Sequence, residues 1–177
     1  MSFSRALETD EAFVLTKKKM LRLDSLVILF TKQSGKIAVI AKGVQKITSR
    51  RVSALQTGNL ISVSYSKRGD APAFLSDVSL ISHFSELKKS QEKIQNMYSF
   101  FYILNTLLPE HQKEEKMYEL CKKTMIRLGK SNMPIFSLTH TICDLFNFLG
   151  YGEFHSLDEC KLKYEEITGK QIPYSII

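Results

Sequence analysis

Ser25-Leu26-Val27-Ile28-Leu29-Phe30-Thr31, then Lys32-Gln33-Ser34-Gly35, then Lys36-Ile37-Ala38-Val39-Ile40-Ala41-Lys42-Gly43-Val44 is the stretch that decides the fold. The first segment is a continuous apolar run of the length of one buried strand. The second is a turn, with Gly35 free to take positive φ. The third answers as a strand from Lys36 to Val44, with Ile37, Val39 and Ala41 alternating against Ala38, Ile40 and Lys42. Together they predict a β-hairpin.

Outward from this hairpin the chain keeps the same grammar. Upstream, Ala12–Leu15 alternates weakly and runs into Lys17-Lys18-Lys19-Met20-Leu21. Downstream, a basic, serine-rich connection from Gln45 to Gln56 contains Ser49-Arg50-Arg51. Asn59–Ser66 then alternates cleanly, with Ile61, Val63 and Tyr65 on one face and Leu60, Ser62, Ser64 and Ser66 on the other. Lys67-Arg68-Gly69-Asp70 turns the chain into a last strand, Ala73–Ile81. Five strands with one longer connection between the third and fourth suit a five-stranded Greek-key barrel of the OB type. An open five-stranded sheet or an SH3-like barrel satisfies the same pattern.

Beyond Ser85 the period becomes helical. Ser90–Leu108 carries Ile94, Met97, Tyr98, Phe101, Leu104, Leu107 and Leu108 as one stripe, stopped by Pro109. Lys113–Leu128 repeats the pattern through Met117, Leu120, Cys121, Met125 and Leu128. Asn132 and Pro134 open the most apolar helix, Ile135–Leu149, and Ser156 with Glu159 forms a capping box for a short helix to about Thr168. The predicted class is α+β, with an all-β N-terminal half and an all-α C-terminal half. Residues 1–82 form a nucleic-acid-binding barrel domain and residues 83–177 a helical bundle domain.

Net charge is +7, and residues 1–82 hold 13 Lys/Arg against 6 Asp/Glu while residues 83–177 hold 12 of each. The whole surplus therefore belongs to the β half, as expected of a polyanion-binding module joined to a neutral one. No apolar run has the length of a membrane span. Glu8, Asp10 and Glu11 precede any apolar segment, unlike a secretory leader. Three widely spaced cysteines, Cys121, Cys143 and Cys160, are not a disulfide framework and suit a reducing cytoplasm.

Catalysis finds no foothold: no phosphate-cradling, dinucleotide, nucleophile-elbow or zincin string occurs, so the expectation is a non-enzyme without a cofactor. His140, Cys143, His155 and Cys160 include the donors of a tetrahedral zinc site, but the last two lack a usual close spacing and Cys143 is needed on its helix's apolar face. No metal is expected. The basic residues are the stronger signal. Lys17, Lys18 and Lys19 precede the second strand, Lys42, Lys46, Arg50 and Arg51 surround the longer connection, and Lys67 and Arg68 occupy a turn. Such clusters neutralise phosphates and give affinity without sequence readout. Phe13, Phe30, Tyr65 and Phe74 all lie in strands, so binding through the backbone of a nucleic acid fits better than a stacking platform. A solvated basic surface on an RNA- or ribosome-associated protein, and a protein-binding adaptor, are the alternatives.

The order of motifs resembles a known family. Glu11-Ala12-Phe13-Val14-Leu15, Thr31 through Gly35-Lys36, Ala41-Lys42-Gly43-Val44, Ser49-Arg50-Arg51 and Leu55-Gln56 run as in the N-terminal domain of the DNA repair protein RecO family, and Leu149-Gly150-Tyr151 with Cys160 beyond is also similar. The resemblance implies an OB barrel, then a helical domain. It also implies binding of single- and double-stranded DNA, strand annealing, and recombinase loading with the RecR partner and single-stranded-DNA-binding protein, in the cytoplasm at the nucleoid. By motif match, Lys42, Arg50 and Arg51 are the DNA contacts carried over.

The C-terminal tail of single-stranded-DNA-binding protein is the partner the resemblance suggests for Phe148 and Tyr151, two of four aromatics (with Phe146 and Phe154) within nine residues, and for Lys122, Lys123 and Arg127. Two departures stand out. Many relatives bind zinc through four cysteines after Leu-Gly-Tyr, whereas here Cys160 is followed by Lys161-Leu162-Lys163. Typical members also continue for several dozen residues past the position of Ile177, so contacts made by that part are not expected of these residues.

Overall fold

The computed structural model describes residues 7–45, 51–67, 72–130 and 135–172, apart from the side chains of 135–138. Contacts divide the chain into two units: Met1–His83 with Pro109–Glu114, and Phe84–Leu108 with Glu115–Ile177.

The first unit is a closed five-stranded barrel in the order β1-β2-β3-β5-β4, with β1 Leu7–Lys19, β2 Ser25–Thr31, β3 Gly35–Ala41, β4 Leu60–Ser66 and β5 Ala73–Ser82. The β3–β5 pairing is parallel and the rest antiparallel, which is the OB arrangement. Closure leaves one interior, filled by alternate residues such as Val14, Leu29, Val39, Ile61, Val63 and Tyr65.

Three features differ from the sequence reading. β1 is much longer than Ala12–Leu15, because its first half pairs with β4 and its second with β2, with a bulge between Val14 and Thr16 at the changeover. Lys17, Lys18 and Lys19 therefore precede β2, as expected, but lie within β1 itself. β3 stops at Ala41, short of Val44, because Gly43 turns left-handed (φ 62°) and donates its N–H to the Asp24 carboxylate at 2.7 Å. Within the longer connection, Arg51–Ala54 forms one turn of helix, α1, whose Ala54 joins the barrel core. Asn59 fastens that turn, its amide donating to the carbonyls of Ser53 (2.8 Å) and Ala54 (3.0 Å).

Four helices build the second unit: α2 Gln91–Leu107, α3 Glu115–Gly129, α4 Ile135–Phe148 and α5 Leu157–Thr168. Their bounds follow the apolar periods and the caps within a residue or two. Ser90 caps α2, and Ser156 with Glu159 makes the reciprocal capping box of α5, which ends on left-handed Gly169. α2 buries more than its stripe, since Ser99, Phe100 and Ile103 are also inside while Tyr98 is largely exposed. α2 is therefore buried on more of its circumference than one stripe describes. No helix among the described residues is long and apolar enough to cross a membrane.

Candidate nucleic-acid interface

The barrel's outer face is set by register. Lys18 pairs with Leu26, Leu26 with Ile40, and Ile40 with Phe74, so these four side chains form one row across β1, β2, β3 and β5. Ile28 and Ala38 form the next row. Interior positions alternate with these, so the row lies outside the barrel. Leu26, Ile28, Ala38 and Ile40 are half-buried there, and the Phe74 ring is 38% exposed. The Lys42 ammonium stands over that ring, 4.8 Å from its centroid. An exposed aromatic beside an apolar strip, with Lys18 and Lys42 at its margins, can stack a base while cations meet phosphates.

The lysine run divides between two faces. Lys18 joins the outer row, whereas Lys17 pairs with interior Val27 and is half-buried. Burial lowers the Lys17 pKa, and repulsion from Lys19 lowers it further. Beyond them the β1–β2 turn carries exposed Met20, Leu21, Arg22 and Leu23. It is tied to the segment after β3, for the Gln45 N–H donates to the Leu23 carbonyl at 3.0 Å. Lys42 is thereby held next to this turn. Arg51 opens α1.

Lys67 lies elsewhere, its Nζ 3.5 Å from His111 Nδ1, against a cavity of about 110 Å³ that Tyr65 and Glu110 also line. Lys46, Arg50 and Arg68 lie outside the described residues. Neither the turn leucines nor the outward facing of Phe74 is marked by the period of the strands. The available signal was the unbroken run Leu26–Phe30: a strand apolar on both faces presents an apolar exterior as well as a core.

The β2–β3 turn is fixed from three sides. Asp10 accepts from the Gln33 N–H (2.9 Å), Tyr65 donates to Ser34 Oγ (2.9 Å), and the Lys113 ammonium donates to Gln33 Oε1 (3.0 Å). Burial pushes the Tyr65 hydroxyl up to about 12, so it stays a donor.

In the helical unit, Lys123 and Arg127 lie one turn apart on an exposed face of α3, and Lys122 is half-buried. Phe146 is buried, with the rings of Phe154 at 5.5 Å and Tyr151 at 5.9 Å, while Phe148 is 54% exposed. Cys143 and Cys160 are both buried with their sulfurs 3.4 Å apart, and burial raises the Cys160 thiol pKa. His140 and His155 are exposed, and no three potential metal ligands gather among the described residues.

The chain is similar to known proteins of one family. The family model described as "Recombination protein O N terminal" matches residues 1–84. A DNA repair protein RecO of Caldanaerobacter subterraneus subsp. tengcongensis is 28% identical over 159 residues, covering 88% of this chain and 62% of the relative. One from Thermoanaerobacter sp. is 27% identical over 158 residues, covering 88% and 62%. One from Clostridium novyi is 26% identical over 169 residues, covering 93% and 64%. The chain thus spans about three fifths of the length of these curated relatives.

Proposed function

We propose, from the match of residues 1–84 to the RecO N-terminal family model and the similarity to curated RecO relatives, that this chain is a RecO-type protein whose barrel binds single- and double-stranded DNA without reading sequence and which acts as a recombination mediator in DNA repair. In that role it anneals complementary strands and helps load recombinase, working with a RecR-type partner and with single-stranded-DNA-binding protein.

The observation that carries the proposal is the outer row Lys18–Leu26–Ile40–Phe74 with Lys42 poised over Phe74. It supports a modification of pure backbone binding: phosphate contacts supply most of the affinity, and one aromatic supplies a stacking position. The charge surplus of residues 1–82 supports the same reading. Annealing needs a surface that holds two strands without selecting either, and sequence-blind phosphate attraction meets that need.

The test is binding of the purified chain to labelled single-stranded DNA, duplex DNA and structured RNA over a salt series, followed by an annealing assay. Log K should fall linearly with log salt, with a slope of roughly −0.7 for each phosphate contact on single strands. The triple variant Lys42→Glu, Arg50→Glu, Arg51→Glu should lose binding and annealing. A flat salt response, one sequence strongly preferred over its scramble, or a folded triple variant that binds like the parent would overturn the proposal. Selective binding of structured RNA would transfer the site to an RNA-associated role.

A further inference from the structure

The β1–β2 turn exposes more apolar surface than its size requires. Leu21 is 89% exposed, Leu23 49% and Met20 43%, all within one turn. Chance exposure of a flexible tip does not describe this one. The Met20 N–H donates to the Asp24 carbonyl (2.9 Å) and the Asp24 N–H to the Leu21 carbonyl (3.3 Å). Gln45 fastens the turn from outside, its side-chain amide donating to the carbonyls of Met20 and Asp24. Arg22 (φ 59°) and Leu23 (φ 64°) are both left-handed, a conformation that glycine or asparagine adopts with less strain. Leu23 holds that conformation with its side chain half exposed, beside the still more exposed Leu21.

Cations flank the turn along the chain. Lys18 and Lys19 lead into it, Arg22 lies within it, and Lys42 precedes Gly43, whose N–H is bonded to Asp24. An apolar tip flanked by cations fits a polyanion whose interior is apolar, which describes stacked bases inside a phosphate backbone. A membrane is the poorer match, because interfacial binding scales with buried apolar area and one turn offers little.

We propose that the Met20–Asp24 turn is a wedge that inserts Leu21 between adjacent base pairs of bound DNA and partly unstacks them. The proposal rests on the DNA-binding reading above and adds a local opening of the duplex, a step that would favour strand exchange during annealing.

The 177-residue chain and its Leu21→Ser and Leu21→Met variants are titrated onto a duplex carrying a 2-aminopurine. The parent should raise its emission roughly threefold at saturation, because unstacking relieves quenching by the neighbouring bases. Leu21→Ser, brought to saturation on the same duplex, should leave the emission flat. Leu21→Met should restore the rise. Matching circular dichroism melts identify all three as folded. Tight binding by the parent without an emission change, or an equal rise with Leu21→Ser, overturns the wedge while leaving DNA binding in place. If none of the three binds DNA, the DNA-binding reading fails and the wedge with it. Leu21-dependent capture by anionic phospholipid vesicles, with no emission change on DNA, would make the tip a membrane anchor and also overturn it.

Discussion

Lys42 and Phe74 meet because β3 and β5 run parallel: Ile40 pairs with Phe74, and Lys42, two residues on, reaches back so that its ammonium stands 4.8 Å from the ring centroid. This contact separates the two kinds of binding energy by residue. Phe74→Ala should weaken single-stranded DNA binding by about 1–2 kcal/mol, the usual worth of one stacked base, without changing the salt slope. Lys42→Ala should instead flatten the slope by roughly 0.7. Fluorescence anisotropy over a salt series measures both. An unchanged Kd for Phe74→Ala would remove the stacking position from the site.

Gly35 tests how the Pro109–Glu114 segment is held on the barrel. Its φ is 70°, and a Cβ there would lie 1.9 Å from the Gln112 carbonyl oxygen. The same segment is bonded to β3 through the His111 N–H and the Lys36 carbonyl at 2.9 Å. Gly169, with φ 66° and open space around it, isolates the conformational part of the cost. Urea unfolding should show Gly169→Ala losing about 1 kcal/mol. Gly35→Ala should lose at least about 2 kcal/mol, because strain and collision add. Equal losses would mean that residue 112 does not press on the turn.

Much of this architecture was legible in the chain itself, for identifiable reasons. Strands whose side chains alternate, such as Leu60–Ser66, and helices with capping residues, such as Leu157–Thr168, show their periods directly. β1 did not, because Glu8, Asp10, Glu11 and the three lysines fill a strand shared by two partners, and composition hides such pairing. The site was half legible. Charge located the basic half, but the facing of Lys17 against Lys18 depends on a bulge that spacing cannot reveal. Phe74 was one of four strand aromatics that spacing alone could not sort between core and surface, and register places it on the outer row.

Acid should loosen the start of α5. The Glu159 carboxylate accepts from the backbone N–H groups of His155 (2.9 Å) and Ser156 (3.2 Å), which hold its pKa below the ordinary value. A depressed carboxyl pKa contributes stability above its unfolded value and loses it as pH falls through the folded value. Amide exchange at Leu157–Cys160 should therefore lose protection on acidification between about pH 6 and pH 3 in the parent. Glu159→Gln should show much less change over the same range. Identical pH profiles would place the sensitivity elsewhere.

The helical half of the sequence, balanced in charge, adds little to phosphate attraction, and protein contact at its exposed residues can be tested directly. Of the four aromatics at the end of α4, Phe146 is core, Phe154 and Tyr151 lie against it, and Phe148 remains 54% exposed. Aromatic side chains are frequent anchors at interfaces, and the exposed cations Lys123 and Arg127 suit acidic residues in the same ligand. A peptide copying the acidic, apolar-ended tail of single-stranded-DNA-binding protein should bind the full chain with micromolar affinity, about −8 kcal/mol. Phe148→Ala should weaken it roughly tenfold with no change in melting temperature. Lys123→Glu with Arg127→Glu should weaken it more at low salt than at high salt, because exposed charges are screened. A peptide lacking its terminal apolar residues should bind far less tightly. Equal binding of the two peptides, or indifference to Phe148→Ala, would mean that α4 ends in a surface ring with no partner of this kind, and that the helical unit serves the protein in some way other than capturing this tail.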